Sequence, residues 1–448
     1  MTNEFKGGRR IDDWRPEDEQ FWAKSGQRVA SRNLWISIPA LLLAFSVWVI
    51  WSVIVVRMPE VGFQFDKAQL SWLLALPALS GATMRIFYSF MVPIFGGRRW
   101  TTISTASLLI PTIWLGFAIQ NPNTPFVTFA IIALLCGFGG ANFSSSMSNI
   151  SFFYPKSKQG MALGLNAGLG NLGVSVLQFV VPVVIGVSLF GALAGEGQVT
   201  ASGKVLYLQN AAFVWVIPIA IMTILAWFGM NDLSSAKASF KEQSVIFSRQ
   251  HNWIMCILYL ATFGSFIGFS AAFPMVIKQS FPDIDPLKVA FLGPLIGALF
   301  RPAGGWLADK VGGARVTFWN YVVMTAAVLA VMFFLKTGNF SGYFIGFMLL
   351  FMTTGIGNGS TFRMIPVIFR TLHERRNSQD LVNQARKESA AVVGFAGGFA
   401  AYGGFFIPKM FGSGLGINGT FVVLIVFYVV CIALTWWYYS RKGAEYPC

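Results

Sequence analysis

The chain has 448 residues, 55% of them hydrophobic and only 11% charged, and it carries 44 Phe and 15 Trp. Soluble domains average about 25% charged residues, so this composition excludes a soluble fold and describes an integral membrane protein. The formal charge of +15 would point to nucleic acid in a soluble protein; in a membrane protein it follows from the Lys and Arg that collect in cytoplasmic loops.

Residues 1–33 form a polar tail of mixed charge, with Asp12-Asp-Trp-Arg-Pro-Glu-Asp18 followed by Arg28 and Arg32. Lacking an apolar core of the secretory type, it reads as a cytoplasmic tail. Apolar runs of about 20 residues, each enough to cross a hydrocarbon layer of roughly 30 Å, then recur along the chain. Six are predicted at 34–56, 70–93, 101–119, 126–153, 160–189 and 211–230, giving a first half, 34–230. The polar connector 231–252, with Lys237, Lys241 and Arg249, leads to a second half, 253–440. Its spans are predicted at 253–280, 288–308, 315–336, 342–369, 389–412 and 420–440, and a short cytoplasmic tail, 441–448, closes the chain. The expected fold is an all-α membrane protein of twelve transmembrane helices in two pseudo-symmetric six-helix halves.

Most of the 33 Lys and Arg fall in the tails and in the loops that share their side, which places both termini in the cytoplasm. Cys136, Cys256, Cys431 and Cys448 show no metal-ligand or redox spacing and read as packing residues. No metal cluster, nucleophile triad or phosphate loop is present, so an enzyme is not expected and no cofactor is assigned.

Two arginines stand inside apolar segments, Arg85 in Ser80-Gly-Ala-Thr-Met-Arg85 and Arg301 in Ile296-Gly-Ala-Leu-Phe-Arg301. Each costs roughly 2.5 to 3.5 kcal/mol at the centre of a spanning helix. All 18 acidic residues fall in tails, loops or span ends, so neither arginine has a carboxylate partner in its own segment. The partner expected is an anion in transit. A guanidinium is planar, always charged and able to donate two parallel hydrogen bonds, which suits a flat oxyanion.

The two arginines belong to an internal repeat. At one constant offset, Leu76, Leu79, Gly81, Ala82, Arg85, Gly96, Gly97, Arg99 and Thr101 match Leu292, Leu295, Gly297, Ala298, Arg301, Gly312, Gly313, Arg315 and Thr317. Two parallel six-span halves are the trace of an alternating-access carrier whose site lies at their interface near the midplane.

The turn after the eighth span, Gly305-Trp-Leu-Ala-Asp309-Lys310-Val-Gly312-Gly313-Ala-Arg315, resembles the signature loop of the major facilitator superfamily, with Asp309 and Arg315 in its conformational positions. The first half keeps only Gly96-Gly-Arg-Arg99, with Pro93 where the Asp belongs. Two glycine-rich stretches narrow the resemblance. One runs from Gly139 through Phe143 and Asn149 into Gly160, Gly164, Gly168, Asn171, Gly173 and Ser175; the other spans Gly394, Gly397, Gly398, Gly403 and Gly404. With Trp14-Arg-Pro-Glu in the tail, they resemble the signature stretches of the nitrate/nitrite porter family (NarK-type) within that superfamily, along essentially the whole chain.

Read alone, the glycines at 160, 164 and 168 mark one helix face, and small faces let backbones approach closely. The resemblance implies more: Gly164, Gly168, Gly173, Gly397, Gly398, Gly403 and Gly404 as hinge positions, and Arg85 and Arg301 as the pair that holds the anion. It also implies Phe143, with Phe45 and Phe263, as aromatic walls, and Asn171 and Tyr259 as neutral donors. Without the family, Asn171 serves equally well for a bond between helices. Arg363 departs from the family pattern, which has a neutral amide there; it either lines the cytoplasmic half of the path or snorkels to the surface, the second being slightly preferred. His251 and His373 are placed at a span end and in a loop.

Bringing one negative charge into an inside-negative cell costs about 2.3 kcal/mol per 100 mV. Proton coupling calls for Asp, Glu or His in the core of a span, and none is found there. Exchange of nitrate for nitrite across a bacterial inner membrane, by a monomer in the lipid bilayer without nucleic acid, is therefore expected; nitrate/proton symport is the alternative. A sensor would need a soluble domain, and a passive channel does not account for the two-half repeat.

Overall fold

The computed structural model describes residues 9–191, 195–236, 244–377 and 381–448. Twelve helices in it are long and apolar enough to cross a membrane: Glu19–Val61, Lys67–Phe95, Gly97–Ala118, Phe126–Phe153, Ser157–Val184, Asn210–Gly229, Gln250–Ser280, Pro286–Val311, Gly313–Lys336, Phe340–Arg375, Lys387–Phe411 and Gly416–Ser440. They are numbered here as spans 1 to 12. Lys237 and Lys241 of the connector lie outside the described residues.

The repeat is visible in the backbone. Span 2 starts on a capping box made by Asp66 and Gln69 and stops at Gly96, where φ is +89°. Span 8 stops in the same way at Gly312, with φ +102°. Both are left-handed positions that favour glycine, and each starts the next span one residue later, at Gly97 and Gly313.

Within each half, glycines bring span 2 against span 4 and span 8 against span 10. A side chain added at Gly137 would strike the Pro77 carbonyl, and one added at Gly355 or Gly359 would strike the carbonyls of Gly297 or Arg301. In lipid, helix association rests on such close backbone approach. The halves are thereby tightly knit internally.

Span 1 begins earlier than expected. Asp18 caps its first turn by accepting from the amides of Gln20 and Phe21 at 3.0 and 3.1 Å, so part of the predicted free tail is helix. The rest of the described tail is docked. Arg10–Ile11 pairs in parallel with Asp232–Leu233 after span 6, and the Trp14 indole donates to the Phe152 carbonyl at 3.1 Å. At the other end, the Cys448 carbonyl accepts from Ala314 at the turn between spans 8 and 9, at 2.8 Å. Both described ends thus lie on one side, called the terminal side below; the opposite is the far side.

The two halves meet on the far side and part on the terminal side, as one face of span 5 shows. Gly160, Gly164, Gly168, Asn171, Ser175 and Gln178 recur at three- and four-residue steps and so share a face. Towards the far side that face is engaged: the Ser175 hydroxyl donates to the Phe291 carbonyl at 2.9 Å and the Gln178 amide to the Ser270 carbonyl at 2.8 Å. Towards the terminal side it is bare, because a Cβ added at Gly160, Gly164 or Gly168 meets nothing within 4 Å. Gly305 and Gly394, on the terminal parts of spans 8 and 11, are equally bare. The close backbone approach expected at 160–168 is therefore not made in this structure; the open space beside these bare glycines, on the terminal side, is called the vestibule below.

Candidate functional site

At the inner end of that vestibule lie the two arginines. Arg85 is 1% exposed. Its Nε donates to the Gly140 carbonyl of span 4 at 2.9 Å, which Gly139 and Gly140 bring close by packing on span 1. Its Nη1 donates across the interface to the Gly397 carbonyl of span 11 at 2.5 Å. Aromatic rings surround the guanidinium carbon, with centroids at 4.8 Å for Phe143, 5.3 Å for Trp48 and 5.4 Å for Phe263. The remaining nitrogen, Nη2, is buried without a hydrogen-bond partner among the described residues.

Arg301 is 9% exposed. Its Nη2 donates to the Tyr259 hydroxyl at 3.2 Å, its face lies 5.0 Å from the Phe362 ring centroid, and its Nη1 is buried without a partner. Tyr259 stacks on Phe263 at 5.3 Å with 3° between planes, and on Phe362 at 4.4 Å. Phe263 and Tyr259 thus bridge the two cations. Among the described residues each arginine presents one buried, unpartnered terminal nitrogen. The site thus offers two separate donors, one from each half.

Asn171 is buried on the interface face of span 5 with its Oδ1 unpartnered. Phe45 is buried edge-on to Phe143 at 6.1 Å and beside Trp48 at 5.3 Å. The glycines expected as hinges divide into three environments. Gly173 abuts the Leu42 carbonyl, Gly403 the backbone of Gly264, and Gly404 Ile267 and Ala78; Gly164 and Gly168 are bare; Gly397 and Gly398 sit at ordinary distance from Arg85.

Arg363 does not snorkel alone. Its Nε is paired with Asp309, both side chains being about half exposed, while Arg315 is exposed beyond the turn. His373 is not in a loop. Span 10 stays helical to Arg375, carrying His373 to a buried position with Nε2 3.3 Å from Glu388, which also takes both arms of Arg249 at 2.7 and 2.8 Å. His251, also buried, shares a hydrogen bond with the Tyr439 hydroxyl at 2.9 Å. Trp48, Gly140 and Phe362 went unforeseen. None had a usable signal: at the offset that relates Arg85 to Arg301, Phe143 falls on Gly359 and not on Phe362.

Two closely packed six-helix halves that meet on one side, with two buried arginines between them, have the architecture of a membrane transporter. A family model described as Major Facilitator Superfamily matches residues 36–379. The fold is also that of a D-xylose-proton symporter, with a TM-score of 0.69 at 14% identity, covering 91% of this chain and 97% of that one. Similar at the same identity is a bacterial homologue of the human lysosomal transporter Spinster, with a TM-score of 0.66 over 91% of this chain and 96% of that one. The Escherichia coli (strain K12) nitrate/nitrite transporter NarU is 52% identical over 99% of this chain and 98% of its own. A probable nitrate/nitrite antiporter, NarK2 of Thermus thermophilus, is 40% identical over 98% of both. The chain belongs to the major facilitator superfamily and, within it, to the nitrate/nitrite porter family.

Proposed function

We propose that this protein exchanges nitrate and nitrite across a bacterial inner membrane by alternating access, as a monomer, with the anion held between Arg85 Nη2 and Arg301 Nη1. The observation that carries this reading is that pair of buried, unpartnered donors, one on each half. Among the described residues, neither arginine forms an ion pair; their partners are carbonyls and a hydroxyl. A flat monoanion satisfies both donors, and the rings of Phe143 and Phe263 flank the place where it would lie. The two relatives are named for nitrate and nitrite, one of them as an antiporter. The terminal side, which holds most of the Lys and Arg, is the cytoplasm.

Exchange follows from the charge of the empty site. Among the described residues the two guanidiniums are already buried without a carboxylate, a cost of several kcal/mol per ion, and closing the halves over an empty site leaves their like charges facing each other with nothing to offset them. A bound anion lowers that cost, so the carrier reorients loaded and returns loaded. Proton symport would need a carboxylate or an imidazole at the site, and among the described residues the nearest buried pair of that kind lies away from it. The buried Glu388–His373 pair is nine residues before Gly397, about 13 Å along span 11, and is already held by Arg249.

Counterflow in proteoliposomes tests this. Labelled nitrate should enter vesicles preloaded with nitrite or nitrate and should not enter empty ones. Uptake into empty vesicles driven by a pH gradient would establish symport instead.

A further inference from the structure

We propose that Phe362 of span 10 caps the anion site on its cytoplasmic side, as the second-half counterpart of Phe143. This rests on the exchange reading of the Arg85–Arg301 site. Each arginine lies over a ring supplied by the fourth span of its own half: Arg85 over Phe143 at 4.8 Å and Arg301 over Phe362 at 5.0 Å. Among the described residues Arg301 is otherwise hydrogen-bonded by Tyr259 alone, and the Tyr259 ring is itself backed by Phe362 at 4.4 Å. One side chain therefore sets both the face of the cation and the ring of its hydroxyl partner.

Its height in the membrane follows from the backbone. Gly359 abuts the Arg301 carbonyl, and Phe362 comes three residues later, about 4.5 Å nearer the terminal side along the helix. Helical side chains tilt back towards the N-terminus of their helix, which returns the ring to lie beneath the guanidinium. Tyr259 and Phe263 are fully buried whereas Phe362 is only partly so, so among these stacked rings it is the one that borders the vestibule. An anion leaving Arg301 for the cytoplasm passes its edge. Phe362 is thus a positioning residue for Arg301 and a barrier to escape.

Nitrate binding to the solubilised full-length protein by calorimetry, and exchange KM with maximal rate in proteoliposomes, test the assignment. For Phe362→Leu, Kd and KM should rise about thirtyfold, the scale of removing a cation–π interaction from a desolvated site, with the maximal rate per folded carrier kept. Phe362→Tyr should restore both constants, and Phe362→Met, close in volume, should behave as Leu if the latter does not fold. Wild-type affinity in the Leu and Met variants, or a Tyr variant no better than they are, overturns the proposal. Absence of nitrate and nitrite binding by the wild type would instead remove the exchange reading on which it rests.

Discussion

Arg85 and Arg301 are equivalent in sequence but not in use. Arg85 commits Nε and Nη1 to two carbonyls, one in each half, and keeps one nitrogen free; Arg301 commits only Nη2. A lysine at 85 keeps the charge but cannot reach Gly140, Gly397 and an anion in those directions at once. Hydrogen bonds to a charged group are worth about 1.5–3 kcal/mol each. Arg85→Lys should therefore raise the KM of exchange at least tenfold and also slow turnover, because the bond across the interface disappears. Arg301→Lys should act mainly on KM. Equal, wild-type kinetics in both variants would show that the charges alone suffice. The arginines themselves were legible in the sequence, because a cation without a carboxylate inside an apolar run is costly wherever it sits. Their hydrogen-bond geometry was not: it depends on which carbonyls the glycines of span 4 and span 11 bring within reach. The pairing of Arg363 with Asp309 was hidden for the same reason, since the two are separated by all of span 9.

At the scale of elements, the number of spans and the repeat could be read directly, because apolar length and glycine-arginine spacing are local properties. The work of individual glycines could not. A glycine that packs and a glycine that waits look alike in a sequence, and Gly173 and Gly164 show the difference. A Cβ at Gly173 would strike the Leu42 carbonyl and crowd Phe45, whereas one at Gly164 meets open space. Gly173→Ala should cost about 1–3 kcal/mol of stability by overpacking, read as a fall in the thermal midpoint of the solubilised protein. Gly164→Ala should leave that midpoint unchanged and slow exchange, since the added methyl lies on the face that the other half must cover when the vestibule closes. Normal exchange by Gly164→Ala would mean that closure leaves this face uncovered. The start of span 1 was likewise illegible, because the Asp18 cap and the docking of Trp14 onto the end of span 4 draw polar residues into the folded body.

The whole molecule rests in one of its conformations, and the interactions that hold it there are on the far side. Arg57, at the end of span 1, donates to both oxygens of Asp285 in the loop before span 8, at 2.7 and 2.8 Å. Its other arm takes Glu60 at 2.9 and 3.0 Å, and Lys278 approaches Glu60 from the second half at 3.7 Å. This network joins the halves where they must separate to expose the site to the far side, beside the packing of Gly412 on Ser71 and of Gly404 on Ala78. Asp285→Asn should remove a bidentate ionic pairing, and a change of about 1.4 kcal/mol shifts a two-state equilibrium tenfold. The shift should favour the far-side-open state. A thiol placed by Ala78→Cys reports it, because Cys136, Cys256 and Cys431 are buried and Cys448 lies at the terminal side. Labelling by a membrane-impermeant maleimide from the far side should quicken about tenfold in the Asp285→Asn background. Exchanging the charges, with Arg57→Asp and Asp285→Arg together, should not restore the slow rate fully, since Glu60 then faces a second carboxylate in place of the guanidinium; adding Glu60→Gln should. Unchanged labelling in Asp285→Asn would assign the closed far side to helix packing alone.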